Sequence, residues 1–195
     1  MKKCSLLLMG VVLAVLGAQA QAPAKFGLKG GINLSTFNHS SAEYDSRIGL
    51  HFGGLAHIHL APEWAIQPEL MYSQEGGEDF NDTKIKLDYI NIPVMLQYMF
   101  SNGFRIEAGP QIGILVNEKY KYTNGTEEEF DDFKTVNTSI GFGLNYLSNG
   151  GIGVGGRYNL GLNDISESRS STAKNNTFQI SLFYMFDSDH KAKSR

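Results

Sequence analysis

Five charged side chains fall at mid-length on the polar faces of strand-like segments: Lys29, Glu69, Arg105, Glu107 and Arg157. If that face turns away from water, the charges must pair with one another, because an unpaired buried ion is costly. Structural filling of the interior is the expected role of these five residues, and trapped water or a proton path is the alternative. His57 and His59 share a face two residues apart, with His51 further along, a spacing that can seat a metal. No carboxylate at a matching spacing completes such a site, so interior packing is expected, with no metal and no cofactor. His39, Ser40, Ser41 and Asp45 contain the parts of a hydrolase triad. Their order and spacing assign no roles, so no catalytic residue follows and a non-enzymatic chain is expected.

The elements that must position these groups read as strands. Residues 87–116 form two long runs of period two, joined by Ser101, Asn102 and Gly103. An Asn-Gly pair between such runs signals a hairpin. One set of alternate positions carries Ile90, Ile92, Val94, Leu96, Tyr98 and Phe100, then Phe104, Ile106, Ala108, Ile112, Ile114 and Val116. The other set carries Asn91, Gln97, Arg105, Glu107, Gly109, Gln111 and Gly113. The same two-sided pattern recurs over 25–37, 48–60, 64–75, 135–147, 152–162 and 177–186, which makes eight segments. Their regular spacing suggests an all-β barrel, and no segment reads as a helix.

Composition agrees with that reading. Glycine is abundant at 22 residues, Phe and Tyr far outnumber the single Trp, and the net charge of −3 is mild. No basic face stands out, so nucleic acid is not expected as a partner. Lys2 and Lys3, an apolar run over 6–16, and Ala18-Gln19-Ala20 have the order of a signal peptide cleaved after Ala20. The only cysteine, Cys4, would leave with it, and so would any disulfide or thiolate site. Expected boundaries are a signal peptide over 1–20, one barrel domain over 21–186 and a hydrophilic tail over 187–195.

Connections alternate between long and short. Polar stretches over 38–47, 76–83, 117–134 and 163–176 are long, whereas 61–63, 101–103 and 148–151 are tight. With an even strand count all long loops fall at one end, the arrangement of an outer-membrane barrel with extracellular loops and periplasmic termini. A lipocalin-like carrier would also have about eight strands, but with its apolar face inward around a ligand. Two features favour the membrane barrel. Trp64, Tyr98, Phe100, Phe104, Tyr146, Tyr184 and Phe186 lie on the apolar face near the short turns, where an interfacial aromatic girdle belongs. The polar face is rich in glycine, which fits a narrow interior and would weaken strands on a wetted surface. The expected fold is an eight-stranded antiparallel up-and-down transmembrane β-barrel in the cell outer membrane.

Several runs resemble a known family: Leu87-Asp88-Tyr89-Ile90-Asn91-Ile92-Pro93-Val94, Arg157-Tyr158-Asn159-Leu160-Gly161-Leu162-Asn163-Asp164-Ile165, Gly27-Leu28-Lys29-Gly30-Gly31-Ile32-Asn33, and a last strand closing on Phe186. They are similar to the PorT-like outer-membrane β-barrel domain common among Bacteroidota. That resemblance implies insertion by the outer-membrane assembly machinery, which reads a terminal aromatic strand. Here the aromatic is followed by nine further residues, so the signal would be internal.

The third long loop places Tyr120 and Tyr122 before Asn124-Gly125, and Glu128, Phe130 and Phe133 after it. A two-residue turn there would set Tyr122 opposite Glu127 and Lys121 opposite Glu128 in a projecting hairpin. Aromatic side chains among charges suit an extracellular or envelope protein partner, while a solvated acidic loop or a weak divalent-ion site explains the composition as well. An eight-stranded interior is filled by side chains, so diffusion through it is not expected. The expected role is envelope integrity or loop presentation; the contrasting readings are a loop-sited lipid-modifying enzyme and a soluble periplasmic carrier.

Overall fold

Alternation of apolar and polar residues dictates two-faced strands, and the strands built from it are long enough to close on themselves. The computed structural model describes residues 24–39, 45–78, 83–122, 125–128, 133–166 and 173–186. In chain order these give β1 (Lys25–His39), β2 (Asp45–His59), β3 (Trp64–Glu78), β4 (Lys84–Met99) and β5 (Phe104–Lys121). There follow the short β6 (Glu127–Glu128), then β7 (Val136–Leu147), β8 (Ile152–Gly161) and β9 (Ala173–Met185). Every pairing is antiparallel, in the order β4-β3-β2-β1-β9-β8-β7-β5, and β4 also pairs β5. Eight strands therefore close a barrel, with β6 attached to β5 outside the ring. No helix occurs among the described residues.

Register decides which face is inside. Ile48 is 69% exposed and Leu182 66%, whereas Lys29, Glu69, Glu107 and Arg157 are buried. The apolar face points outward, so the chain does not build a lipocalin-like apolar lumen. β5 is 18 residues long, well beyond the roughly 9–11 that cross a bilayer, so strands continue past the apolar band at the long-loop end. Register shifts occur at Asp88/Tyr89 on the β4–β5 seam and between Ser46 and His51 on the β2–β3 seam, both in the long-loop halves of their strands.

Two of the short turns share one geometry. Gly103 N–H donates to Phe100 O and Phe100 N–H to Phe104 O; Gly151 and Ser148 repeat the pattern with Ser148 and Ile152. Both glycines adopt positive φ, 94° and 82°, which ends a three-residue hairpin loop that other residues would strain. The Asn102-Gly103 pair therefore works within three residues rather than as a two-residue turn.

The interior is layered. At the short-turn end Leu55, Leu147, Phe183 and Met185 form an apolar cluster. At the long-loop end Phe37, Ile85, Leu87, Tyr89, Ile165 and Ala173 form another, against which Leu115, Tyr120 and Phe133 pack. Charges and amides fill the space between.

Candidate functional site

The central charge cluster follows from where small residues stand. Glu107 on β5 and Arg157 on β8 both face Gly143 on β7, so no side chain intervenes between them. Arg157 Nε donates to Glu107 Oε1 at 2.7 Å. Its terminal nitrogens cross the lumen to Glu69, Nη1 to Oε2 at 2.9 Å and Nη2 to Oε1 at 2.7 Å. β8 and β3 lie four places apart in the ring of eight, which is diametrically opposite. This bidentate pair therefore spans the full width of the barrel. Lys29 Nζ adds contacts of 3.2 and 3.3 Å to the same carboxylate, and Gln67 and Gln97 donate to Glu69 and Glu107 at 2.8 Å each. Such planar two-point pairing is the strong form of a buried ion pair.

Arg105 is buried nearer the short turns, opposite Met99 and Asn145, and interacts with Glu107 through charge. The structure joins Lys29, Glu69, Glu107 and Arg157 by direct bonds, and Arg105 lies two residues before Glu107 on β5.

Toward the long loops the filling changes from ionic to neutral polar. His51 bonds Asn33 Oδ1 at 2.7 Å and Ser181 Oγ at 2.8 Å, and Asn33 donates to Ser73 Oγ at 2.9 Å. Ser73 in turn donates to Glu75 at 2.8 Å. Asn91 donates to Glu75 at 2.7 Å, and Asn175 and Thr177 donate to its other oxygen. Four neutral donors, from Ser73, Asn91, Asn175 and Thr177, occupy both oxygens of this buried carboxyl group. His57 and His59 meet edge to face at 4.8 Å, apart from His51. Among the described residues no three His, Cys, Asp or Glu cluster as metal ligands. Of the triad-like residues, Asp45 is exposed at the start of β2, while Ser40 and Ser41 lie outside the described residues, as do 1–20, 187–195 and Phe130.

The loop on β5 differs from the sequence expectation. Hydrogen bonds from Tyr122 N–H to Thr126 O and from Gly125 N–H to Tyr122 O enclose three residues, with Gly125 at φ 86°. The register consequently shifts: Lys121 faces Glu127 and Tyr120 faces Glu128. Tyr120 and Phe133 are not exposed. Both pack on the long-loop apolar cluster, and Phe133 stacks on Phe37 with centroids 5.6 Å apart, because covering an open apolar mouth gains more than projecting into water. Glu128 is exposed and within 3.5 Å of the Tyr122 hydroxyl. Glu127 accepts from Lys86 at 2.6 Å, and that bond holds its carboxyl below the usual range.

Trp64, Phe100, Phe104, Tyr146, Tyr184 and Phe186 are exposed on the outer face, with Tyr98 half-buried between Trp64 and Phe100. Phe104 meets Tyr146 at 5.1 Å and Tyr184 meets Phe186 at 5.9 Å.

Sequence reasoning missed the apolar seals. Their signal was the appearance of Leu55, Leu147, Phe183 and Met185, and of Ile85, Leu87 and Tyr89, at the positions otherwise reserved for polar residues.

Solved structures of this architecture include Neisserial surface protein A, 12% identical, with a TM-score of 0.59 over 84% of this chain and 99% of that one. Ail, the attachment invasion locus protein of Yersinia pestis, is 13% identical with a TM-score of 0.52, again over 84% and 99%. Ail has also been crystallised with the heparin analogue sucrose octasulfate. No curated protein matches the sequence. Residues 18–167 match the outer membrane protein beta-barrel domain, and with the closed ring and the outward apolar face the chain belongs to that outer-membrane family, its exterior set in lipid.

Proposed function

We propose that the protein is a non-enzymatic, non-conducting outer-membrane barrel that supports envelope integrity and presents its long loops to partners outside the cell. The observation that carries this is the Arg157–Glu69 pair across the whole lumen, closed above and below by apolar clusters. Ions and solutes would have to break a buried ion pair and two dry layers to pass. On this reading Lys29, Glu69, Arg105, Glu107 and Arg157 are structural filling, and the aromatic residues at the short turns sit at the inner membrane–water boundary. Tyr122 and Glu128 remain as loop groups open to a partner, whereas Tyr120 and Phe133 serve the seal. A signal peptide cleaved after Ala20, delivery by the outer-membrane assembly machinery and a PorT-like lineage complete the proposal.

Planar-bilayer recording tests it. The wild type should give no steady conductance, while Arg157→Ala and Phe133→Ala combined with Leu147→Ala and Phe183→Ala, which remove the cross-lumen pair and breach both seals, should give measurable current. A wild-type channel of steady conductance sinks the reading. Fractionation with gel mobility before and after boiling tests the location, and amino-terminal sequencing of the purified protein should begin at Gln21.

A further inference from the structure

On the long-loop side of the ionic layer, Glu75 is buried among neutral donors, and among the described residues no lysine or arginine side chain bonds its carboxyl oxygens. Asn91 gives an amide N–H to one oxygen and Asn175 to the other, the surroundings of an ionised carboxylate. A buried carboxylate needs a counter-charge. Because both amides spend their nitrogens on Glu75, their carbonyl oxygens are turned elsewhere, and neither Asn91 Oδ1 nor Asn175 Oδ1 has a hydrogen-bond partner among the described residues. The same holds for Asn137 Oδ1 and the Tyr89 hydroxyl. All four side chains are 3% exposed or less. Buried polar atoms are nearly always partnered, so four such oxygens around one carboxylate point to a bound group.

Register gathers them at one opening. Gly113 on β5 stands between Asn91 on β4 and Asn137 on β7, paired directly with each. A Cβ at Gly113 would collide with Asn91 Oδ1 and lie 3.3 Å from the Tyr89 ring and 3.6 Å from Asn137 Cβ. The glycine therefore leaves room where these side chains converge, and Asn175 reaches the same layer from β9 through its bond to Glu75. The ligands on offer are hard, neutral oxygens of amides and a phenol. One carboxylate balances one positive charge, whereas calcium sites recruit several carboxylates. We propose that this chamber binds a single monovalent alkali cation such as sodium, held by the oxygens of Asn91, Asn137, Asn175 and Tyr89. Asn91 and Asn175 join it to Glu75, each giving its N–H to the carboxylate and its oxygen to the cation, so that the two contacts polarise one another favourably. The inference goes beyond the envelope role and is independent of it, because the Arg157–Glu69 closure is not part of the site.

Stability in two salts of equal ionic strength tests it. The full-length protein in neutral detergent, freed of divalent ions by a chelator, would be equilibrated with sodium chloride or N-methylglucamine chloride, each at about 0.15 M. The temperature of the gel-mobility shift should be at least about 3 °C higher in sodium, because an ion that binds only the folded barrel stabilises it. Glu75→Gln and Asn137→Ala should each lose most of that difference. Asn145→Ala, which alters an inward amide opposite Arg105 nearer the short turns, should keep it. Equal temperatures for the wild type in the two salts would mean that water alone satisfies these oxygens, and would overturn the proposal. A sodium effect that persists in Asn137→Ala overturns it too, since the ion would then bind elsewhere. So does stabilisation by about 1 mM calcium, added to the N-methylglucamine salt without chelator, that matches the effect of sodium. If one of the two site variants fails to fold, the other decides, and the wild-type comparison stands without either.

Discussion

The two seals of the barrel bury similar apolar residues but are built differently. At the short-turn end, Leu55, Leu147, Phe183 and Met185 all come from strands whose backbones are fixed by neighbours on both sides. At the long-loop end, strand residues such as Phe37 and Leu87 are completed by Phe133 and Ile165, which lie in connections. Those connections are held by an isolated bridge between Phe133 and Ser166 and by Lys134 N–H to Ile165 O at 2.8 Å. One seal therefore opens only when the barrel unfolds, and the other can open on its own. Local opening follows the number of backbone bonds and buried contacts a segment must give up.

The ionic layer between them sets the largest expected effect. Arg157→Met leaves Glu69 with Lys29 and Gln67, and Glu107 with Gln97, inside the barrel. Breaking such a pair from one side costs about 3–5 kcal/mol, visible as a lower temperature for the gel-mobility shift. Lys29→Met should cost clearly less, because Arg157 keeps both oxygens of Glu69. Equal losses for the two variants would mean that the cross-lumen pair is not the principal tie.

The seals can be set against each other directly. Leu147→Ala removes a side chain only 2% exposed from the strand-built seal and should lower global stability by about 2–5 kcal/mol in denaturant titrations. Phe133→Ala removes a half-buried ring, so global stability should fall by about 1 kcal/mol or less, while hydrogen exchange at Ile165 and Ala173 accelerates. If both variants shift the global transition alike, the long-loop seal is as integral as the other. A smaller and more local effect is expected from Gly125→Val. A β-branched residue at φ 86° is strained by about 1–3 kcal/mol, with open space around it to relieve nothing but the turn itself. Protease cleavage over 122–128 should increase with the barrel transition unmoved.

How far the sequence told these regions apart depends on what each had to satisfy. Period-two alternation specified all eight barrel strands and the outward face, because a slip of one residue would put Ile48 or Leu182 inside and Glu69 in lipid. The pairing of Lys29, Glu69, Glu107 and Arg157 was legible for the same reason: charges confined to a narrow dry interior have few other partners. The partition of those charges was not, since it depends on Gly143 leaving an opening between Glu107 and Arg157. Nor were the seals, because an apolar residue on an inward position looks like a lapse in the pattern until the register groups Leu55 with Leu147 and Phe183. The β5–β6 register was misread by one residue: a two-residue and a three-residue loop both end in glycine, and only the hydrogen bonds of Tyr122 distinguish them.

Acid should separate the two ends most finely. Asp164 sits outside the membrane in the connection that carries Ile165, where it accepts from Ala173 N–H at 2.8 Å, Ser166 N–H at 3.1 Å and Lys134 Nζ at 3.2 Å. These contacts, that of the Ala173 amide foremost, hold its carboxyl below the ordinary value of 3.8. A depressed folded value means that the ionised carboxylate stabilises the connection above that ordinary value, and that this contribution disappears as the pH falls through the lower, folded one. Between pH 7 and pH 5 exchange at Ser166 and Ala173 should therefore be constant once the intrinsic rate is divided out, and below about pH 4 it should rise. Asp164→Asn should exchange faster already at neutral pH and lose the acid-dependent step, with exchange at Leu147 unchanged in both proteins. A step of equal size at Leu147 would show that acid loosens the whole barrel, and the distinction between a strand-built and a loop-built seal would fail.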